Sequence, residues 1–224
     1  MSQTGRLSDV LVFTRTTAYR HDSIPAGQAA LRELGEEHGF TVETSDDPSV
    51  FTAASLAGRS AVVFLSTSGE VLTPDGRVVL RRWISDGGGF MGVHSAACTE
   101  YDWPYYGELL GARFAGHPDF QPGTVLVEDR SHPAMCHLPP RWDWNDEWYD
   151  FRSNPRRPGV QVLATIDETG YEGGGMGADH PLVWCKEAGA GRSFYSSLGH
   201  ADDAYTDPAF RGHLLGGLHW AAGC

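Results

Sequence analysis

Gly87-Gly88-Gly89-Phe90-Met91-Gly92-Val93-His94-Ser95-Ala96 is the stretch that decides the fold. Gly89 to His94 (GFMGVH) has the length and apolar character of a buried strand, and small residues carry it into a tight turn. Such a turn holds one side chain out beyond the sheet, as a nucleophile elbow does. Here that side chain is His94, which can serve as acid, base or metal ligand but is a poor substitute for a Cys or Ser nucleophile. Gly92 has no packing reason visible in the sequence, which favours a functional turn; a histidine simply hydrogen-bonded at the turn is the competing explanation.

Upstream of this stretch, strand and helix alternate. Asp9 to Arg15 (DVLVFTR), Phe40 to Thr44 and Ser60 to Leu65 (SAVVFL) are short runs of strand character. Ile24, Gly27, Leu31, Leu34 and His38 make one helical stripe, with Ser23 placed to cap its start and Gly39 its end. Thr73-Pro74 opens a helix whose buried face is Val79, Leu80, Trp83 and Ile84, stopping at Gly87. This rhythm predicts an α/β fold built on a parallel sheet with right-handed crossovers.

Downstream the pattern changes to short strands at Thr124 to Val127 and Glu147 to Phe151, with Pro-rich turns and many aromatics from Tyr101 to Asp150. Val160 to Ile166, Leu182 to Lys186 and Ser193 to Ser197 follow, the last two a hairpin around Gly189-Ala190-Gly191. Asp207-Pro208 opens a final helix with Phe210, Leu214, Gly217, Leu218 and Ala221 inward. With no linker or repeat, residues 1–224 read as a single domain carrying a β-rich aromatic insertion at about 99–155. The glycines of Gly170 to Gly177 do not lead a strand into a helix and predict a loop, not a phosphate cradle.

In an open parallel sheet, ligands bind beyond the carboxyl ends of the strands. Tyr19, Arg20, His21 and Asp22 follow the first strand, Thr67 and Ser68 the third, His94 and Ser95 the fourth, and His200 the late strand. They are expected to meet at one rim. Tyr101-Asp102-Trp103-Pro104-Tyr105-Tyr106 and Trp142-Asp143-Trp144-Asn145-Asp146-Glu147-Trp148-Tyr149 add carboxylates interleaved with aromatics. Aromatic faces suit the C–H faces of sugar rings and carboxylates accept from hydroxyls, so Trp103, Asp146, Glu147 and Trp148 are candidate sugar contacts. The alternative is that these rings fill the core. Of three His-Pro pairs, at His117, His132 and His180, His117 is the best placed for the cleft. Cys136-His137 lacks the spacing of a structural zinc site. His21, His94 and His200 could together hold a catalytic zinc; a metal-free acid–base site without cofactor is the simpler expectation.

The chain has 224 residues, 41% hydrophobic and 21% charged, an ordinary globular balance for one enlarged domain. Seventeen Lys+Arg against 29 Asp+Glu leave −12, with no basic track for nucleic acid or an anionic membrane. The polar start, Met1 to Asp9, lacks a signal core, and the four cysteines have no CxxC spacing, so reduced thiols and a cytoplasmic location are expected. The partner implied is a small neutral carbohydrate, and a homo-oligomer is left open.

Taken in order, Arg20-His21-Asp22-Ser23-Ile24, the Gly87 to Ala96 stretch, Asp146-Glu147-Trp148-Tyr149, Gly177-Ala178-Asp179-His180-Pro181, Gly191-Arg192-Ser193-Phe194-Tyr195, Leu198-Gly199-His200 and Gly216-Gly217-Leu218-His219-Trp220 resemble the ThuA-like (trehalose-utilisation) family. The resemblance covers residues 9 to 222 and implies the class I glutamine amidotransferase-like fold, a doubly wound, mostly parallel sheet in a flavodoxin-like three-layer α/β arrangement with a β-rich insertion. That fold keeps its nucleophilic Cys where this chain has His94; Cys98, a helical turn beyond, should point elsewhere, so glutamine hydrolysis is not expected. The family's link to disaccharide and keto-sugar catabolism implies acid–base chemistry by His94 and Glu147, with His21 and His200 beside them. A non-catalytic carbohydrate-binding or regulatory module and a metal-dependent hydrolase are the alternatives.

Overall fold

The computed structural model describes residues 7–224; of the polar start Met1 to Asp9, residues 1–6 lie outside them. Four short strands, β1 (Asp9–Phe13), β2 (Thr41–Ser45), β3 (Ala61–Leu65) and β4 (Gly89–Val93), alternate with α1 (Ile24–His38), α2 (Ala53–Leu56) and α3 (Pro74–Ser85). There follow α4 (Pro104–Leu110), β5 (Phe114–Gly116), β6 (Gln121–Val127), β7 (Arg141–Asp146), β8 (Asp150–Phe151), β9 (Val160–Ile166), β10 (Pro181–Ala188), β11 (Gly191–Ser196) and α5 (Pro208–Ala221). One nine-stranded sheet has the order β2-β1-β3-β4-β11-β10-β9-β6-β7, and β5 pairs only with β8.

β2, β1, β3, β4 and β11 are parallel neighbours, and each pairing beyond β11 is antiparallel. All but β10 and β6 therefore point the same way, which makes the sheet mostly parallel, as the βαβ rhythm implies. The consequence for function is that β1, β3, β4, β11 and the outermost β7 all deliver their carboxyl ends to one edge.

Successive side chains of a strand point to opposite faces, so a strand covered on both sides must be apolar throughout. Val10 and Val12 of β1 join Leu31, Met91 and Leu214 on one side, while Leu11 and Phe13 join Phe64, Leu80 and Tyr106 on the other. α1 buries Ile24, Gly27, Leu31 and Leu34 but leaves His38 exposed. α3 buries Leu80 and Ile84, with Val79 and Trp83 only partly covered. All five apolar residues read on α5 are inward.

Some local expectations change. Ser23 does not cap α1 with its side chain; its hydroxyl donates to the Gly199 carbonyl instead, tying the helix start to the loop after β11. The strand expected over Glu147 to Phe151 splits, because β7 ends at Asp146 and only Asp150–Phe151 pairs again. Residues 99–155 supply α4 and the β5–β8 pair, while β6 and β7 extend the main sheet. Trp144 of β7 stacks on Phe210 of α5 at 5.6 Å, so this aromatic stretch is partly core.

Candidate active site

The turn after β4 is built as an elbow. His94 has φ 52, a left-handed conformation that is costly for a residue with a side chain and that accumulates at functional sites. Two bonds fix it: Tyr195 Oη donates to the His94 carbonyl at 2.9 Å, and His94 Nδ1 donates to the Ser197 carbonyl at 2.8 Å. A carbonyl can only accept, so the Nδ1 proton is committed and Nε2 of the neutral ring carries a lone pair. Gly92 does have a packing reason, unlike the expectation from sequence. A Cβ there would stand 2.8 Å from Leu110 Cδ1 and 3.1 Å from Tyr195 Cδ2.

Around His94 Nε2 the other strand ends converge. Tyr149 Oη donates to it at 2.9 Å, His21 Nε2 lies 3.1 Å away, and Glu147 Oε2 lies 3.5 Å away. His200 Nδ1 approaches the same Glu147 oxygen at 3.1 Å, while His117 Nε2 faces Oε1 at 3.6 Å. His21 Nδ1 is 3.2 Å from Ser95 Oγ. Glu147 reaches this point because β7 ends at the same edge and the chain then turns back across the strand ends. Asp146 anchors that turn: its buried carboxylate accepts from the backbone of Glu147, Gly199 and His200 at 2.9, 2.8 and 3.2 Å.

The electrostatics separate the members. Burial, aided by the charges of His94 and His200, pushes His21 down to about 3 and keeps it neutral. Burial pushes Glu147 up, but contacts with His200 and His94 overcome this and hold it well below the usual carboxylate range. The Glu147 carboxylate in turn raises His200 against the pull of burial. Burial lifts Tyr149 well above the ordinary phenol value, so it stays a donor. His21, His94, Glu147 and His200 each offer a ligand atom, all within 4.8 Å of one another, a set that could hold a metal ion.

His21, Glu147 and Tyr149 line a cavity of about 530 Å³ together with Tyr19, Ser68, Ser95, His117, Tyr101 and Phe114, while His94 is fully buried. A second hollow of about 460 Å³ shares Tyr19 and His21 and adds Asp22, His200 and Phe120. Thus His21, His94, Glu147, His200, Tyr19, Asp22, Ser68, Ser95 and His117 come together. Four others do not face the cavity. Thr67 is buried against Thr99 Oγ1 at 2.8 Å, Arg20 lies on the surface near the Thr14 carbonyl, Trp148 is buried over Gly123, and Trp103 lies against Arg77 and Tyr105. Asp146 acts from behind, through backbone. Tyr149, Phe114, Tyr101 and Phe120 were not singled out by sequence; Tyr149 stands beside Trp148 in a motif that gives no direction to either ring. Cys98 is a correction, since it lines the cavity instead of pointing away. Burial pushes its thiol up to about 12, far from a reactive thiolate. A separate depression at Thr124, Asp143 and Asp207 holds no histidine.

Comparison with known proteins agrees with this architecture. A family model described as trehalose utilisation (ThuA) matches residues 9–221. A ThuA-like protein of Bacteroides uniformis superposes with a TM-score of 0.81 at 21% identity, covering 99% of this chain and 94% of that one. A ThuA-like protein of Parabacteroides merdae gives 0.77 at 20% identity, with 96% and 90% covered. A cytoplasmic protein of Salmonella typhimurium gives 0.64 at 12% identity, with 95% and 98% covered. These likenesses establish the fold, which is glutamine amidotransferase-like. Comparison with curated proteins gives no match. Among the described residues no helix is long and apolar enough to cross a membrane. With the family match running through the elbow, the Glu147 turn and the His200 loop, the chain belongs to the ThuA (trehalose utilisation) family.

Proposed function

We propose that this chain is an enzyme that processes a disaccharide or keto-sugar by acid–base chemistry at the His21–His94–Glu147–His200 cluster. Membership of the trehalose-utilisation family supports a carbohydrate role. The observation that carries the rest is the convergence of three imidazoles and one carboxylate from four different strand ends, with His21 and Glu147 lining an aromatic-walled cavity and His200 the hollow beside it.

A carbonyl in a sugar acidifies the neighbouring C–H, so the step needs a base for the proton and a positive group at the carbonyl oxygen, but no covalent nucleophile. Glu147 is the base, through Oε1, the oxygen turned toward His117, and its contacts with His200 and His94 leave it a weak one that relies on the acidity of the C–H beside the carbonyl. Positive charge on the Oε2 side comes from His200, which the Glu147 carboxylate raises, and Tyr149 holds a hydroxyl donor at His94 Nε2. Glutamine hydrolysis is disfavoured because the elbow carries an imidazole and the Cys98 thiol is pushed up to about 12. A neutral ligand in a cytoplasmic setting, with neither nucleic acid nor membrane as partner, goes with the −12 charge.

The test is incubation with trehalose, sucrose and their 3-keto forms, followed by mass spectrometry. Turnover of a keto form is expected, reduced by about 10²-fold or more in His94→Ala and Glu147→Gln. Undiminished turnover in His94→Ala would remove the reading, and binding without any change of mass or isomer would favour a non-catalytic sugar-binding module.

A further inference from the structure

We infer that the positive charge at the centre is a divalent first-row transition ion, zinc in the first instance, bound by His21 Nε2, His94 Nε2, His200 Nδ1 and Glu147 Oε2. This deepens the reading of the cluster as the reaction centre and rests on it only for what the ion is for; the binding site itself stands on geometry.

Three observations carry it. The first is the tautomer: His94 gives its Nδ1 proton to the Ser197 carbonyl, the arrangement that orients an imidazole and leaves Nε2 free to ligate. The second is crowding without matching donors. Tyr149 Oη and His21 Nε2 both press on the single His94 Nε2 lone pair. His200 Nδ1 is buried with no hydrogen-bond partner although Glu147 Oε2 is 3.1 Å away, so the contact lacks hydrogen-bond geometry.

The third is size. Ligands at ~2.0–2.2 Å from zinc in a tetrahedron stand roughly 3.3–3.6 Å apart. The separations in the structure are close to that span, 3.1 Å (His94 to His21), 3.5 Å (His94 to Glu147) and 3.1 Å (His200 to Glu147), and no two of the four ligand atoms are more than 4.8 Å apart. Three imidazoles and a carboxylate are a borderline donor set, which suits zinc and its neighbours and not calcium or magnesium.

Access is right for a working ion. His94 and His21 are buried, whereas Glu147 and His200 keep 13% and 27% of their side chains exposed, Glu147 lining the cavity and His200 the adjoining hollow. An ion held by these four groups could take a sugar carbonyl or hydroxyl oxygen as a fifth ligand. Glu147 binds through Oε2, and Oε1 stays available as the base. The ion's two charges against one carboxylate leave a positive centre for a neutral ligand with a polarisable oxygen.

The test is zinc binding itself, read without turnover. The full chain is stripped with a chelator, dialysed and titrated with ZnCl2 by calorimetry, with metal content checked by elemental analysis. One ion per chain is expected. His21→Ala and His94→Ala should lose it, while His137→Ala, outside the cluster, should retain it. Ser95→Ala, which removes only the group behind His21 Nδ1, should weaken binding about 10-fold or more. Circular dichroism on each variant separates lost binding from lost folding, and Co2+ substitution gives visible bands that report the nitrogen ligands directly. No binding to the stripped wild type, or unchanged stoichiometry in His21→Ala and His94→Ala, would overturn the site. Zinc bound with no keto-sugar turnover would keep the site and remove the proposed function. Turnover unaffected by chelation with no ion bound would do the opposite.

Discussion

At the scale of single residues, what was legible was what the strand-end rule could reach. His21, His94 and His200 each follow a strand of the parallel set, so their meeting required only the correct sheet direction. Tyr149 was not legible, because an aromatic run such as Trp148-Tyr149 does not say which ring turns to the core; Trp148 does, and Tyr149 faces His94. The packing role of Gly92 is hidden for a related reason, since its partners Leu110 and Tyr195 are remote in sequence. Gly92→Ala should therefore destabilise the chain by about 1–3 kcal/mol in urea unfolding, through overpacking. Two buried histidines far from the cluster set a pH limit. Burial holds His132 and His213 down to about 4, so both fold neutral. The unfolded chain binds their protons at a higher pH, near the ordinary histidine value of about 6.5. Their contribution is thus fully present above about pH 6.5 and is lost as pH falls toward about 4, at up to ~1.4 kcal/mol per pH unit for each. Unfolding midpoints measured across that window should fall with acidity, and His213→Asn should flatten the slope; an unchanged slope would contradict this assignment.

At the scale of elements, the first half could be read because each buried strand is a single apolar run and each helix a clean stripe. In the second half β9, the β10–β11 hairpin and α5 are equally legible, but the stretch around β7 is not, because β7 alternates large rings with acids and merges into the turn that carries Glu147. Asp146 is the hinge of that arrangement. Asp146→Ala would leave the Gly199, His200 and Glu147 amides without their acceptor, a loss of about 1–3 kcal/mol per buried donor. Turnover should fall with it even where the variant stays folded, since His200 and Glu147 lose their common support. Asp207 offers the contrast. Its side chain caps α5 by accepting from the amides of Ala209 and Phe210 at 2.8 and 3.0 Å. Asp207→Ala should cost about 1 kcal/mol of stability and leave keto-sugar kinetics unchanged.

At the scale of the whole molecule, the sheet collects its co-directional strand ends at one edge, and the chain's chemistry sits there. The acidic surface, −12 overall, has a consequence for encounter. A neutral sugar feels no long-range field, so kcat/KM should change less than about twofold between low and high salt, whereas a sugar phosphate would be repelled and would gain with added salt. The central claim is that Glu147 moves a proton at a carbon beside a sugar carbonyl. It is tested most directly by incubating a 3-keto-disaccharide with the protein in D2O and following deuterium at that carbon by mass spectrometry and NMR. Wild type is predicted to wash in one deuterium, and Glu147→Gln to lose at least about 10²-fold of that rate; no exchange above the protein-free control, or equal exchange by Glu147→Gln, would contradict it.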